Sequence, residues 1–298
     1  MTCYRITHHT HYQYDQPAQL STHTLRLCPR SDGSQWLQSF QLSCSPTPER
    51  QIHFLDANGN TCTAISFTQP LTALSLQSVS EVNTARTNPF DYLSEPWAVE
   101  LPIDYPLSVA AQLSPYLREP LASSATAAPT VTHLAQALSA EVSGNVGYFL
   151  TRLAQYIPTL CDYQPRLHGA AYPPSVTLEK KSGTCRDFAV LFVAVCRAVG
   201  LAARFVSGYQ EGDLGTTKHE LHAWAEVYVP GGGWRGFDPT LGLAVADKHI
   251  AIAAAPSPPQ ATPVSGTLKS TPGQSAHTTF NTELNTDITI EAIEAIAP

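Results

Sequence analysis

The chain is 298 residues long, 43% hydrophobic, with a formal net charge of −7. That length holds two domains or one large one, and the apolar share supports a proper core. The acidic balance, with no Lys/Arg-rich run, speaks against nucleic acid as a partner.

Met1-Thr2-Cys3-Tyr4-Arg5 leads into no apolar signal core, and the longest apolar run, Phe188 to Cys196, is far too short to span a bilayer. The expectation is a cytoplasmic protein without a membrane partner. Its seven cysteines (Cys3, Cys28, Cys44, Cys62, Cys161, Cys185 and Cys196) then read as reduced thiols. No Cys-x-x-Cys pair occurs, which argues against a zinc ribbon or a thioredoxin-type site.

From residue 3 to about 85 the pattern is that of strands. Tyr4, Ile6, His8, Thr10, Tyr12 and Tyr14 alternate with Arg5, Thr7, His9, His11, Gln13 and Asp15, a period of two. Further strands are expected at His23–Cys28, Trp36–Cys44, Ile52–Leu55, Thr61–Phe67 and Leu74–Val82, with a type I′ hairpin signal at Asn58-Gly59. Short strands at this spacing predict an antiparallel β-sandwich over residues 1–86. His9 and His11 share a face, but no Cys, Asp or Glu stands at ligand spacing, so His8, His9 and His11 read as strand residues before a metal site.

Pro89, Pro96, Pro102 and Pro106 break the pattern and mark a boundary. Helices are expected at Leu107–Leu117, Val131–Ala140 and Val146–Ile157, with a loop at Leu121–Pro129. Tyr172-Pro173-Pro174 reads as an extended or turn segment. It leads into Ser182-Gly183-Thr184-Cys185-Arg186-Asp187, a loop that turns into a helix running to Ala198. Thr184 and Asp187 stand at capping-box spacing, and Gly200 suits the left-handed position past the helix end. That helix is apolar nearly all round and therefore buried. Three strands follow, at Ala203–Tyr209, Leu221–Val229 and Gly233–Phe237, so this half is α+β. His249–Ala255 is a further strand candidate. Lys269–Asn285 reads as loop, and Asp287–Ile296 fits strand and helix alike. The predicted division is residues 1–86, a core over 107–270, and a tail over 271–298 that could pack back as a strand.

Cys185 at the first turn of a buried helix is a nucleophile candidate, since unpaired N–H groups and the helix dipole favour a thiolate there. His222 near the start of one strand and Asp238 at the end of the next supply a base and its orienter. The Cys185 N–H is an available oxyanion donor, and the sequence names no second one. Each residue has a bland reading: structural thiol, satisfied core histidine, turn carboxylate before Pro239. Cys196, three turns on from Cys185, reads as inert core, Asp187 as a cap before a catalytic helper, and Trp224 as core before cleft wall.

Gly183-Thr184-Cys185-Arg186-Asp187-Phe188-Ala189, Arg197 through Tyr209, His222-Ala223-Trp224-Ala225-Glu226-Val227-Tyr228-Val229 and Gly233-Trp234-Arg235-Gly236-Phe237-Asp238-Pro239-Thr240 together resemble the core of the bacterial transglutaminase-like superfamily. The front half resembles the β-rich domain that precedes this core in many bacterial members, through His8-x-Thr10-x-Tyr12-x-Tyr14, Leu25-Arg26-Leu27-Cys28-Pro29-Arg30 and Asp56-x-x-Gly59-Asn60. The resemblance covers about residues 3–270. It implies a papain/transglutaminase-like fold, a catalytic triad of Cys185, His222 and Asp238, no cofactor, and a peptide or protein substrate. Hydrolysis of amide bonds is the leading expectation, after bacterial relatives of this kind. Transamidation of glutamine, a non-catalytic binding module, and zinc held by Cys185, His222 and Asp238 are the alternatives. The chain departs from the family pattern at Ala255-Pro256-Ser257-Pro258-Pro259, where a charged and aromatic segment is expected in the cleft wall.

Overall fold

A computed structural model describes residues 1–118, 129–166, 169–212, 219–269 and 281–293. The first strands are β1 (Thr2–Leu20), β2 (His23–Leu25), β3 (Gln35–Ser45), β4 (Arg50–Leu55), β5 (Thr61–Ser66) and β6 (Leu71–Thr84). Strands β1, β6 and β3 are antiparallel neighbours in one sheet, and β2, β5 and β4 in another. Tyr14, Leu20, Leu25, Ile65, Leu74 and Leu76 bury their side chains between the two, making a sandwich. The β4–β5 hairpin forms, but its turn is not type I′. Gly59 alone takes a positive φ, of 74°, and the Asp56 carboxylate holds the turn by accepting from the Asn58 and Asn60 N–H groups.

Next come α1 (Leu107–Leu117), α2 (Pro129–Glu141), α3 (Val146–Leu160), β7 (Asp162–Tyr163), α4 (Pro174–Lys180), β8 (Ser182–Gly183) and α5 (Cys185–Ala198). The expected loop at Leu121–Pro129 lies outside the described residues, except Pro129, which opens α2. Tyr172 and Pro173 stay outside any helix as expected, and α4 begins at Pro174. Pro174 sits in the first helical turn, where a missing N–H costs nothing, and Lys181 ends the helix at φ 49°.

The second half is built on β9 (Ala203–Gln210), β10 (His222–Val229), β11 (Gly233–Asp238), β12 (Leu243–Ala244) and β13 (His249–Ala255), an antiparallel sheet in the order β12-β11-β10-β9-β13. Helix α5 lies on it, with Phe192 stacked on Phe237 and the Ala225 and Val227 side chains in the same core. The chain is thus α+β, a sandwich followed by a buried helix packed on an antiparallel sheet.

The last strands, β14 (Val264–Ser265), β15 (Leu268–Lys269) and β16 (Thr282–Ile293), return to the sandwich. Strand β14 pairs with β2, and both β15 and β16 pair with β1. The open choice at Asp287–Ile296 resolves as strand through Ile293, with Ile288 and Ile290 buried on alternate positions. Thr282–Asn285 is strand too, not loop, because its polar residues cover the exposed face of a sheet edge; residues 270–280 lie outside the described set.

The two halves share a core. Tyr4, Ile6, Val82 and Ile288 of the sandwich meet Ala189, Phe205, Ile250 and Ile252. The sandwich also grips the open edge of β13. Gln35 Oε1 accepts from the Ala251 N–H at 2.8 Å, and its Nε2 donates to Ala251 O at 2.9 Å. Asn60 does the same at Ala254, at 2.8 and 3.0 Å. These two amides supply the partners that an edge strand lacks.

Candidate active site

Cys185 is the first residue of α5, and its partly exposed side chain lines a cleft. The turn ahead of it is organised by Asp187. Its Oδ2 accepts from the Thr184 N–H at 2.8 Å and the Thr184 hydroxyl at 2.9 Å, and its Oδ1 accepts from the Tyr172 N–H at 2.7 Å. Arg166 adds a two-pronged ion pair at 2.8 and 3.0 Å. Burial works against the Asp187 charge, but these donors hold its carboxyl below the usual range. Asp187 therefore caps the helix and also ties Arg166 and Tyr172 to the cleft rim. Gly183 is needed for packing: a Cβ there would press on Asp187 and Phe188, so the space it clears belongs to the cap. At the far end, the Leu201 N–H reaches Cys196 O, the Gly200 N–H reaches Arg197 O, and Gly200 takes φ 82°, a Schellman ending.

His222 opens β10 and Asp238 closes the adjoining β11, and His222 Nε2 lies 2.6 Å from Asp238 Oδ2. The Cys185 thiol neighbours the same ring in the cleft that both residues line. Burial favours the neutral ring, but Asp238 and then Cys185 outweigh it, and the His222 pKa is pushed up to about 10. Asp238 is fully buried. Its burial raises the carboxyl pKa, but the hydrogen bonds from His222 and then His249 win and hold it well below the usual carboxylate range. Its Oδ1 accepts from the Thr240 N–H at 2.8 Å, so one oxygen makes the turn expected before Pro239 while the other faces the imidazole.

Three contributors escaped the sequence reading. His249 Nε2 lies 3.0 Å from Asp238 Oδ2, a second imidazole on the same oxygen. Tyr163 is carried beside Gly183 by the parallel β7–β8 pair. Burial, then the neighbouring Cys185 and Glu220, push its phenol up to about 12. Arg166 binds Asp187 as above. None stands at a spacing that marks it in sequence.

The expected bystanders fall elsewhere. Cys196 is fully buried, and that burial pushes its thiol well up. Trp224 is buried behind the sheet with Val206, Ala251 and Ala254. His8 bonds Tyr209 and Thr10, while His9 and His11 both reach Ser75. Among the described residues, the side chains crowded as metal ligands would be are His222, Asp238 and His249, with ligand atoms within 4.8 Å of one another; Cys185 is not one of them.

The cleft encloses about 850 Å³. Tyr172, Pro173 and Pro174 form one wall, and Pro256, Pro258 and Pro263 part of the other. The segment that departs from the family pattern is this second wall.

Residues 4–83 match the family described as "Bacterial transglutaminase-like N-terminal region", and residues 130–239 match "Transglutaminase-like superfamily". A Mycobacterium tuberculosis protein of unassigned function is 30% identical over 266 residues, 84% of this chain and 82% of its own length. The chain belongs to the transglutaminase-like superfamily. A protein-glutamine gamma-glutamyltransferase of Pseudomonas aeruginosa is 35% identical to this transglutaminase-like protein over 88 residues, 27% of this chain and 13% of that relative. The solved structure of a candidate cysteine protease from Cytophaga hutchinsonii shares the fold. Its TM-score is 0.74 at 20% identity, with 100% of this chain and 92% of that chain covered.

Proposed function

We propose that this transglutaminase-like protein is a cytoplasmic thiol enzyme that transfers the acyl group of a peptide, isopeptide or glutamine amide through Cys185, His222 and Asp238. One observation carries the reading: a single imidazole, His222, is bonded to Asp238 and lines the same cleft as the neighbouring Cys185 thiol. Under this reading the Cys185 sulfur attacks the amide carbonyl carbon. As the C–N bond breaks, the protonated His222 gives its proton to the departing amine, leaving a thioester on Cys185. An incoming water or amine then attacks the thioester carbonyl, returns a proton to His222 and releases the thiolate. Asp238 keeps the ring oriented throughout.

The identity of that second nucleophile separates a peptidase or amidase from a cross-linker. The fold shared with the Cytophaga protein and the breadth of the cleft favour water. The stretch shared with the Pseudomonas enzyme supports the amine as the second reading. Intact-mass measurement after incubation with a peptide library and a primary amine tests both. Hydrolysed peptides are the expected product, and amine adducts support the second reading. Cys185→Ala should abolish either while remaining folded, and unchanged turnover in that variant would overturn the assignment.

A further inference from the structure

His249 is almost fully buried, and burial holds its ring neutral despite Asp238. A neutral imidazole carries one N–H. Its Nε2 faces a carboxylate oxygen that can only accept, so the hydrogen is on Nε2 and Nδ1 is left with a lone pair. That Nδ1 has no protein partner, and neither does the buried indole N–H of Trp224, which can only donate. The two rings stand edge to face with centroids 5.2 Å apart. Both line a cavity of about 20 Å³, together with Gln35, Glu226 and Gly236. A site that size, with polar walls, accommodates one water.

We propose that His249 is a positioning residue for Asp238, and that one buried water holds it in the donating tautomer by accepting from Trp224 Nε1–H and donating to His249 Nδ1. The proposal rests on the acyl-transfer reading above. Asp238 Oδ2 is then fixed by two imidazoles and Oδ1 by the Thr240 and Leu241 N–H groups, so the carboxylate cannot swing away from His222. A glycine makes the arrangement possible: any Cβ at Gly208 would strike the Ile250 carbonyl and the Trp224 ring, which lie against β9 next to His249.

The test compares the iodoacetamide alkylation rate of Cys185 in wild type, His249→Leu, His249→Gln and His222→Gln, and it needs no knowledge of the natural substrate. His249→Leu removes the donor and should slow alkylation roughly tenfold or more, the range seen when groups that orient a site's ligands are lost. His249→Gln can donate from nearly the same place and should restore most of the rate. With a turnover substrate, His249→Leu should lower kcat and leave KM unchanged. If His222→Gln slows alkylation but His249→Leu does not, His249 is not a positioning residue. If His222→Gln has no effect either, the acyl-transfer reading itself falls. A crystal structure should show one water within hydrogen-bonding distance of both ring nitrogens, and a dry cavity would remove the bridge.

Discussion

At the scale of single residues, the site separates two thiols on one helix. Cys185 opens onto the cleft, whereas Cys196 is sealed in the core. Limiting iodoacetamide should therefore label Cys185 long before Cys196, as read by peptide mass mapping; equal labelling would contradict the burial difference. His222 gives a second prediction, with a definite sign. Its ring holds a proton more tightly folded than unfolded, so the stabilisation is complete below the ordinary value of about 6.5 and is lost as the pH climbs towards about 10. Asp238 is the same ion pair viewed from the acid, present above the ordinary carboxylate value and lost as pH falls through the depressed one. Urea unfolding at pH 7, 8.5 and 10 should show the gap between wild type and His222→Gln shrinking as pH rises. The three residues gathered at the cleft were readable in sequence because each sits at an element end that motifs mark. His249 was not, because nothing along the chain says that β13 will join the sheet carrying Asp238 and bring His249 to it.

At the scale of elements, α5 shows which local signals carry through to structure. Its capping residues, apolar body and terminal glycine all occur where local chemistry places them. What stayed hidden is the second task of Asp187, since its ion pair to Arg166 spans 21 residues and depends on tertiary folding. Asp187→Ala should cost roughly 3–5 kcal/mol in a denaturant titration, the range for stripping a buried ion pair of one partner. It should also free the chain at Tyr172 to proteolysis. Gly200→Ala should cost about 1–2 kcal/mol, since an alanine at a left-handed φ is strained. Helix α4 and the Asn58-Gly59 turn went the other way. The segment read as extended or turn at Tyr172-Pro173-Pro174 ends one residue early, where Pro174 opens a helix, and a hairpin dipeptide was overruled by the Asp56 carboxylate.

At the scale of the molecule, the sandwich is part of what holds the site. Gln35 and Asn60 lie on the sandwich side, yet they pair with the backbone of β13, whose first residue is His249. Gln35→Ala should destabilise the fold by roughly 1–3 kcal/mol, because the Ala251 N–H loses its buried partner. It should also speed hydrogen exchange at that amide. The longer strands were legible from alternation and turns, whereas the two-residue strands β7, β8, β12, β14 and β15 carry no such pattern. The pairing of β16 with β1 was not, because a polar strand at a sheet edge has the composition of a loop.

That pairing has a consequence for how the molecule is made. Of these strands β1 is made first, yet it lies between β6 and β16, and on one flank residues 3–14 pair with residues 282–293. Until those residues emerge, one flank of the earliest strand has unsatisfied N–H and C=O groups. Contacts of such sequence separation form slowly, and an unpaired flank invites adhesion to other chains. Chains cut before residue 282 should therefore precipitate during synthesis even when every cleft residue is retained, and a supplied peptide matching 282–293 should rescue their solubility.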